Sequence, residues 1–255
     1  MPFGLGKKPE PVAPVRRTLG DLVGPEDAWG AIQEWVSAAA RPVEILSVEQ
    51  AEGEQTLVAL QVTTHSALGT VAYRTGGILL DRGWIRILGG GHPRIGGGLR
   101  YWNASLGGQP LDPPVDQALI VAYDVLGGFF ALNGGKWPGD PGLAHYFTPD
   151  TRKWEPMGLG YSELVEWAMS ERLDQFYEGL RWSGWEDEIG GVGPDQAISV
   201  HPPIGFHGED GTEIPIAQRD RRPIPAREVW TFSNEIAKQL AGAPAGQKVR
   251  FKVTD

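Results

Sequence analysis

The stretch that decides the fold is Gly76-Gly77-Ile78-Leu79-Leu80-Asp81-Arg82-Gly83-Trp84-Ile85-Arg86-Ile87-Leu88-Gly89-Gly90-Gly91. Two short apolar runs flank Asp-Arg-Gly, and Gly83 is free to take the positive φ that a tight connection needs. This reads as a β-hairpin over 77–88. Trp84, Arg86 and Leu88 share one face of the return strand, and Ile85 and Ile87 share the other. Working outward, the β-rich runs Val43–Val48 and Thr56–Thr63 read as a second hairpin. Ser66–Arg74 reads either as a short helix capped by Ser66 or as a further strand. Downstream, residues 118–132 carry an apolar run, a Leu126-Gly127-Gly128 bend and a strand that ends at the Asn133-Gly134-Gly135 turn. Residues 144–157 then make a strand pair around Thr148–Arg152, so 118–157 reads as an antiparallel meander.

Helices frame these strands. Trp29, Ile32, Trp35 and Val36 form a stripe in a helix expected over 25–39, with Pro25 in its first turn. Leu173, Phe176, Tyr177 and Leu180 repeat at helical spacing within 162–181, with a break at Ser170. Val229, Phe232, Ile236 and Leu240 do so within 225–240. Ile198–His201 reads as one more strand and Pro202–Arg222 as irregular chain. The expected architecture is α+β, a mostly antiparallel sheet flanked by helices in a single unit over 19–240. Residues 1–18, with Pro2, Pro9, Pro11 and Pro14 among Lys7, Lys8, Arg16 and Arg17, read as a basic tail. Residues 241–255 read as a tail or a late edge strand at Val249–Val253.

Composition narrows the function. The 255 residues carry a formal charge of −9, and 32 acids outnumber 23 Lys and Arg. Nucleic-acid binders draw affinity from basic surfaces, so this balance speaks against DNA, RNA and anionic membrane surfaces. Ten Trp, eight Phe and six Tyr supply a large core. The chain has no cysteine, which removes thiol nucleophiles, disulfides and zinc-thiolate sites and fits a cytoplasmic location. No apolar run is long enough for a membrane span or a secretory signal.

Catalytic signatures are sparse. Gly89-Gly90-Gly91 and Gly96-Gly97-Gly98 lack the Lys-Ser/Thr ending of a phosphate loop and read as turn glycines. His65, His92, His145, His201 and His207 are scattered without metal-ligand spacing, so no metal or cofactor is expected. No Gly-x-Ser-x-Gly elbow occurs. Several acids (Asp81, Asp124, Asp150, Glu155, Glu163 and Glu178) lie near aromatic residues, as in sugar-cleaving sites. A hydrolase using paired carboxylates, with Asp81 and Asp124 the candidates beside the 89–114 loop, is one reading. The other is a binding protein. Exposed Trp and Arg anchor interfaces, and the densest aromatic segment is 167–185. Tyr101, Trp102, Trp182 and Trp185 are the candidate anchors, with Glu186, Asp187 and Glu188 as steering charges. Folding of the Trp rings back over the sheet is the structural alternative.

Three ordered motifs carry a resemblance. Gly76–Gly89, Asp124-Val125-Leu126-Gly127-Gly128-Phe129-Phe130-Ala131-Leu132-Asn133-Gly134-Gly135, and Tyr146-Phe147-Thr148-Pro149-Asp150 with Trp154-Glu155 and 158–182 resemble a bacterial family of unknown function, over about residues 25–235. The 118–170 portion is also loosely similar to the SUKH superfamily. Its counterpart of that superfamily's helix start is Tyr161-Ser162-Glu163-Leu164-Val165-Glu166-Trp167, while the N-terminal half departs from the pattern. That likeness implies a protein-binding module, with an immunity-type inhibitor of a basic toxin or effector as the sharpest form. Oligomeric state is left open.

Overall fold

Cross-strand pairing organises the molecule. In the computed structural model, which describes residues 15–193, 195–208 and 210–241, seven strands lie side by side in chain order. They are β1 (Val43–Leu46), β2 (Gly77–Leu80), β3 (Ile85–Leu88), β4 (Ala118–Asp124), β5 (Phe129–Asn133), β6 (Ala144–Phe147) and β7 (Trp154–Pro156). Every neighbouring pair is antiparallel. The register puts Ile45, Ile78, Ile87, Ala122, Phe130, Tyr146 and Glu155 in one cross-strand row. Glu44, Leu79, Arg86, Tyr123, Phe129, Phe147 and Trp154 form the adjacent row, on the opposite face. The β2–β3 connection is the expected one, with Gly83 at φ 90°. Asp81 and Arg82 also take left-handed φ values there, 49° and 61°, a conformation that costs non-glycine residues.

Helices cover both faces. The chain-order set is α1 (Leu19–Leu22), α2 (Trp29–Ser37), α3 (Gln50–Leu60), α4 (Ala67–Arg74), α5 (Leu99–Trp102), α6 (Tyr161–Met169), α7 (Arg172–Phe176), α8 (Trp185–Gly190) and α9 (Ala226–Leu240). On the Tyr146 face, the Trp167 ring of α6 lies 6.2 Å from Phe130, and Phe176 of α7 lies 5.0 Å from Tyr146. On the Phe147 face, Trp230 of α9 meets Phe129 and Phe147 at 5.1 and 4.9 Å, and Trp102 meets Tyr123 at 4.9 Å. Burial of such rings on both faces is the main stabilising term. A separate antiparallel pair, β8 (Gln196–His201) and β9 (Asp220–Pro225), joins the sheet region through the Ile198 amide on the Val125 carbonyl.

Several expectations change. Thr56–Thr63 is helical, not a strand: most of it lies in α3, and β1 pairs with β2 instead. Gly53, Thr56 and Leu57 are the buried face of α3, and the Thr56 hydroxyl donates to the Gly90 carbonyl at 3.2 Å. Packing at helical spacing therefore overrides the β-branched composition. Ser66–Arg74 resolves as a helix, because Ser66 Oγ accepts from the Gly69 amide. The first long helix starts at Trp29, with Asp27 accepting from its amide, and not at Pro25. The break at Ser170 stands: its Oγ donates to the Trp167 carbonyl and accepts from the Arg172 amide. The 89–114 segment contains α5 and short 3-10 turns, and the 202–222 segment leads into β9. Residues 1–14 of the expected N-terminal tail and the expected 249–253 strand lie outside the described residues. Among the described residues, no helix is long and apolar enough to cross a membrane.

Candidate binding cleft

The bend between β4 and β5 fixes a buried carboxylate. Asp124 is fully buried and accepts four hydrogen bonds. Its Oδ1 takes the amides of Leu126 and Gly128 at 2.9 and 2.8 Å. Its Oδ2 takes the hydroxyls of Tyr146 and Tyr177 at 2.6 and 2.8 Å. Gly128 is required by this arrangement, since a Cβ there would overlap both Asp124 Oδ2 and the Tyr146 hydroxyl. Burial holds the Asp124 carboxyl above its ordinary range, against the opposing pull of its donors. Burial, then the Asp124 charge, pushes both phenols well above theirs.

A pH dependence follows. The folded pKa of Asp124 exceeds the unfolded one, so its contribution is full below the unfolded value and is lost as pH rises through the folded value. Asp124→Asn removes that titration. In urea unfolding at about pH 4 and about pH 8, the variant is expected to gain stability relative to wild type at the higher pH. A difference that stays constant across pH would exclude the assignment.

The two candidate catalytic acids do not form an open pair. Asp124 is interior, as above. Asp81, only 2% exposed, receives Arg181 Nη2 at 2.6 Å. Arg181 also bonds Asp174 at 2.7 Å and lies over the rings of Trp185 and Trp84 at 4.6 and 4.9 Å. The aromatic anchors read from the sequence are likewise drawn inward. Trp182 is buried, and its Nε1 donates to Glu188 at 2.7 Å. Trp185 packs edge-on against Trp84 at 5.0 Å. Trp102 is buried, while Tyr101 is exposed but carries the Arg227 guanidinium over its ring at 5.1 Å. Of the steering charges, Glu188 is bonded to Arg221 at 2.9 Å, Glu186 lies 3.9 Å from Arg82, and Asp187 is exposed without an ion pair among the described residues.

One cleft open to a ligand lies where the Tyr146 face meets the 204–213 loop. A cleft of about 490 Å³ is lined by Tyr146, Phe176, Leu180, Ile204 and Phe206. Asp150, Glu155, Glu178, Glu213 and His207 ring it. Phe176 is 37% exposed, so an apolar ring faces solvent among carboxylates. Among the described residues, Glu155 accepts only from Thr151 Oγ1, at 3.2 Å. Glu178 makes no side-chain hydrogen bond or ion pair among the described residues, while Asp150 and Glu213 attract the neighbouring guanidiniums of Arg152 and Arg219. No three acids or histidines converge there closely enough for a metal among the described residues.

Each wall has a cause in the chain. Glu155 is placed by its register opposite Tyr146. Phe176 ends α7, one residue before the Tyr177 hydroxyl that is tied to Asp124. The loop wall is held by two arginines that cap its carbonyls. Arg219, 5% exposed, donates to Pro202, Pro203, Phe206 and Ile214 at 2.7–3.0 Å. Arg152 donates to Asp150 and Ile204 at 2.7 and 2.8 Å and lies 5.2 Å from the Phe206 ring. Burial lowers the pKa of both guanidiniums, that of Arg152 to about 10. The walls are thus tied by hydrogen bonds to the same body that carries the sheet.

Residues 19–229 match the family model described as protein of unknown function DUF2625. The chain belongs to this family. Among DUF2625-like relatives, it is 39% identical over 221 residues to the putative uncharacterized protein YbfG of Escherichia coli K12, covering 86% of this chain and 97% of that one. It is 32% identical over 210 residues to an uncharacterized protein of Haemophilus influenzae Rd, covering 82% and 90%. No solved structure matches the chain. The DUF2625 match spans the whole cleft, from Tyr146 to Glu213. Asp150, Glu155 and Glu178 stand out in the sequence as acids near aromatics; Glu213 and Phe206 carry no such mark.

Proposed function

We propose that this chain is a binding protein, and that the cleft between β6, α7 and the 204–213 loop receives a basic, Lys- and Arg-bearing segment of a protein partner. The observation that carries the reading is the placing of the partly exposed Phe176 ring beside Glu155 and Glu178, neither of which makes an ion pair among the described residues. Arg and Lys stems pack on rings such as Phe176 while their charged ends meet carboxylates at the rim. The net charge of −9 adds long-range attraction for a basic partner. The looser likeness of 118–170 to the SUKH superfamily supports the sharper form, a cytoplasmic immunity-type protein that neutralises a basic effector. Hydrolysis by Asp81 and Asp124 has weaker support, because one is paired with Arg181 and the other has its oxygens occupied by four donors.

Calorimetric titration with an oligo-arginine peptide tests this. Affinity is expected to fall steeply as salt rises, and the E178K/E213K variant should bind about tenfold or more weakly. Equal affinity of variant and wild type, or salt-independent binding, would remove the cleft as the site.

A further inference from the structure

The cleft does not end at Phe176. Beyond that ring lies an annex of about 310 Å³ whose own walls include Met157, Leu159, Trp167 and Arg172. Tyr146, Glu155 and Phe176 line both spaces. Phe176 stands as a ridge between them. Its ring lies edge-on to Tyr146 at 5.0 Å, to Trp167 at 4.9 Å and to Tyr177 at 4.9 Å.

The annex differs from the cleft in charge. Arg172 opens α7 and Phe176 closes it. Positions four apart share a helix face, so Arg172 stands one turn, about 6 Å of rise, from the ridge. Its amide and its Nε both donate to Ser170 Oγ, at 3.3 and 3.4 Å, which anchors the base of the head group. Arg172 is exposed and makes no ion pair among the described residues. Glu155, on the shared wall, makes none either. Two opposite charges thus line one space without meeting.

A ligand carrying both charges fits that gap. The cations of a uniformly basic strip match Glu155 and Glu178, but the strip then runs onto Arg172, and like charges brought together at an interface cost affinity. Between the charges the wall is apolar, and the flexible Met157 side chain adapts to varied apolar shapes.

We infer that the partner's segment changes sign along its length: Lys or Arg beside Phe176 on Glu155 and Glu178, then an apolar side chain over Met157 and Trp167, then an Asp or Glu side chain on the Arg172 fork. This rests on the cleft reading above. Arg172 is exposed at the start of its helix, so chain can run on past it, and the carboxylate belongs to a side chain inside the segment.

Calorimetric titration of the full chain with two blocked peptides, acetyl-GRRLLEG-amide and acetyl-GRRLLRG-amide, reads the sign required at Arg172. Wild type is expected to bind the first at least about fivefold more tightly, although the net charge of −9 favours the more basic peptide. Arg172→Glu, a change the helix dipole favours in a first turn, should invert the order. Glu178→Lys should weaken both peptides. Tighter binding of the more basic peptide to wild type, or the same order in wild type and Arg172→Glu, overturns the sign change; if Glu178→Lys still weakens both, the cleft reading stands. A gain confined to acetyl-GRRLL with a free C-terminus would put a chain end on Arg172 and overturn the internal segment. No binding of any peptide, or no effect of Glu178→Lys, removes the cleft reading and this inference with it.

Discussion

Asp124→Ala is expected to lower the unfolding free energy by about 4 kcal/mol or more, one of the two largest single-residue effects in the molecule. The substitution strands four donors at once: the amides of Leu126 and Gly128 and the hydroxyls of Tyr146 and Tyr177. All four face a site with no solvent exposure. A buried donor left without an acceptor costs about 1–3 kcal/mol, so even partial relaxation leaves a large sum. The same side chain ties the β4–β5 bend, β6 and the chain after α7 together, so the loss also frees the Tyr146 and Phe176 side of the cleft. Urea denaturation followed by Trp fluorescence measures it. Should the variant not fold, Tyr177→Phe removes one donor and its contact alone, with an expected loss of about 1 kcal/mol. A loss below about 1 kcal/mol for the Ala variant would show that the network is not structural.

Arg181→Ala is expected to cost about 3–5 kcal/mol, because Asp81 is left charged, buried and without its partner. The guanidinium also fills the space between Trp84, Trp185 and Tyr177. Two comparisons separate charge from packing. Arg181→Met keeps most of the stem, and combining it with Asp81→Asn removes the unpaired charge. The double variant should recover much of the loss in equilibrium unfolding. If it is no more stable than Arg181→Met alone, the pairing with Asp81 is not the source of the effect.

How much of this was legible depends on what each segment leans on. The 77–88 hairpin was readable because Asp-Arg-Gly and the flanking apolar runs are local signals. The 118–157 meander was readable for the same reason. Thr56–Thr63 misled, because its composition is that of a strand while its packing partners, the α4 backbone and the Gly90 carbonyl, are remote in sequence. β9 was hidden by Pro223 and Pro225. It tolerates them because it pairs with β8 alone and has one edge unpaired within its sheet. Trp182 and Trp185 suggested an exposed patch because they follow a helix in a polar run. Their rings close over Trp84, whose place is set by a turn a hundred residues earlier. The cleft was half legible: Asp150, Glu155 and Glu178 stand near aromatics in sequence, but Phe206 and Glu213 reach it through a loop pinned by Arg152 and Arg219. No local pattern reports such tertiary capping.

The most direct test of the central claim is an NMR titration of the ¹⁵N-labelled chain with the oligo-arginine peptide. Salt-sensitive shift changes should gather at 146–155, 176–180 and 204–213. Changes centred on Trp185–Glu188, or spread evenly over the surface, would contradict it.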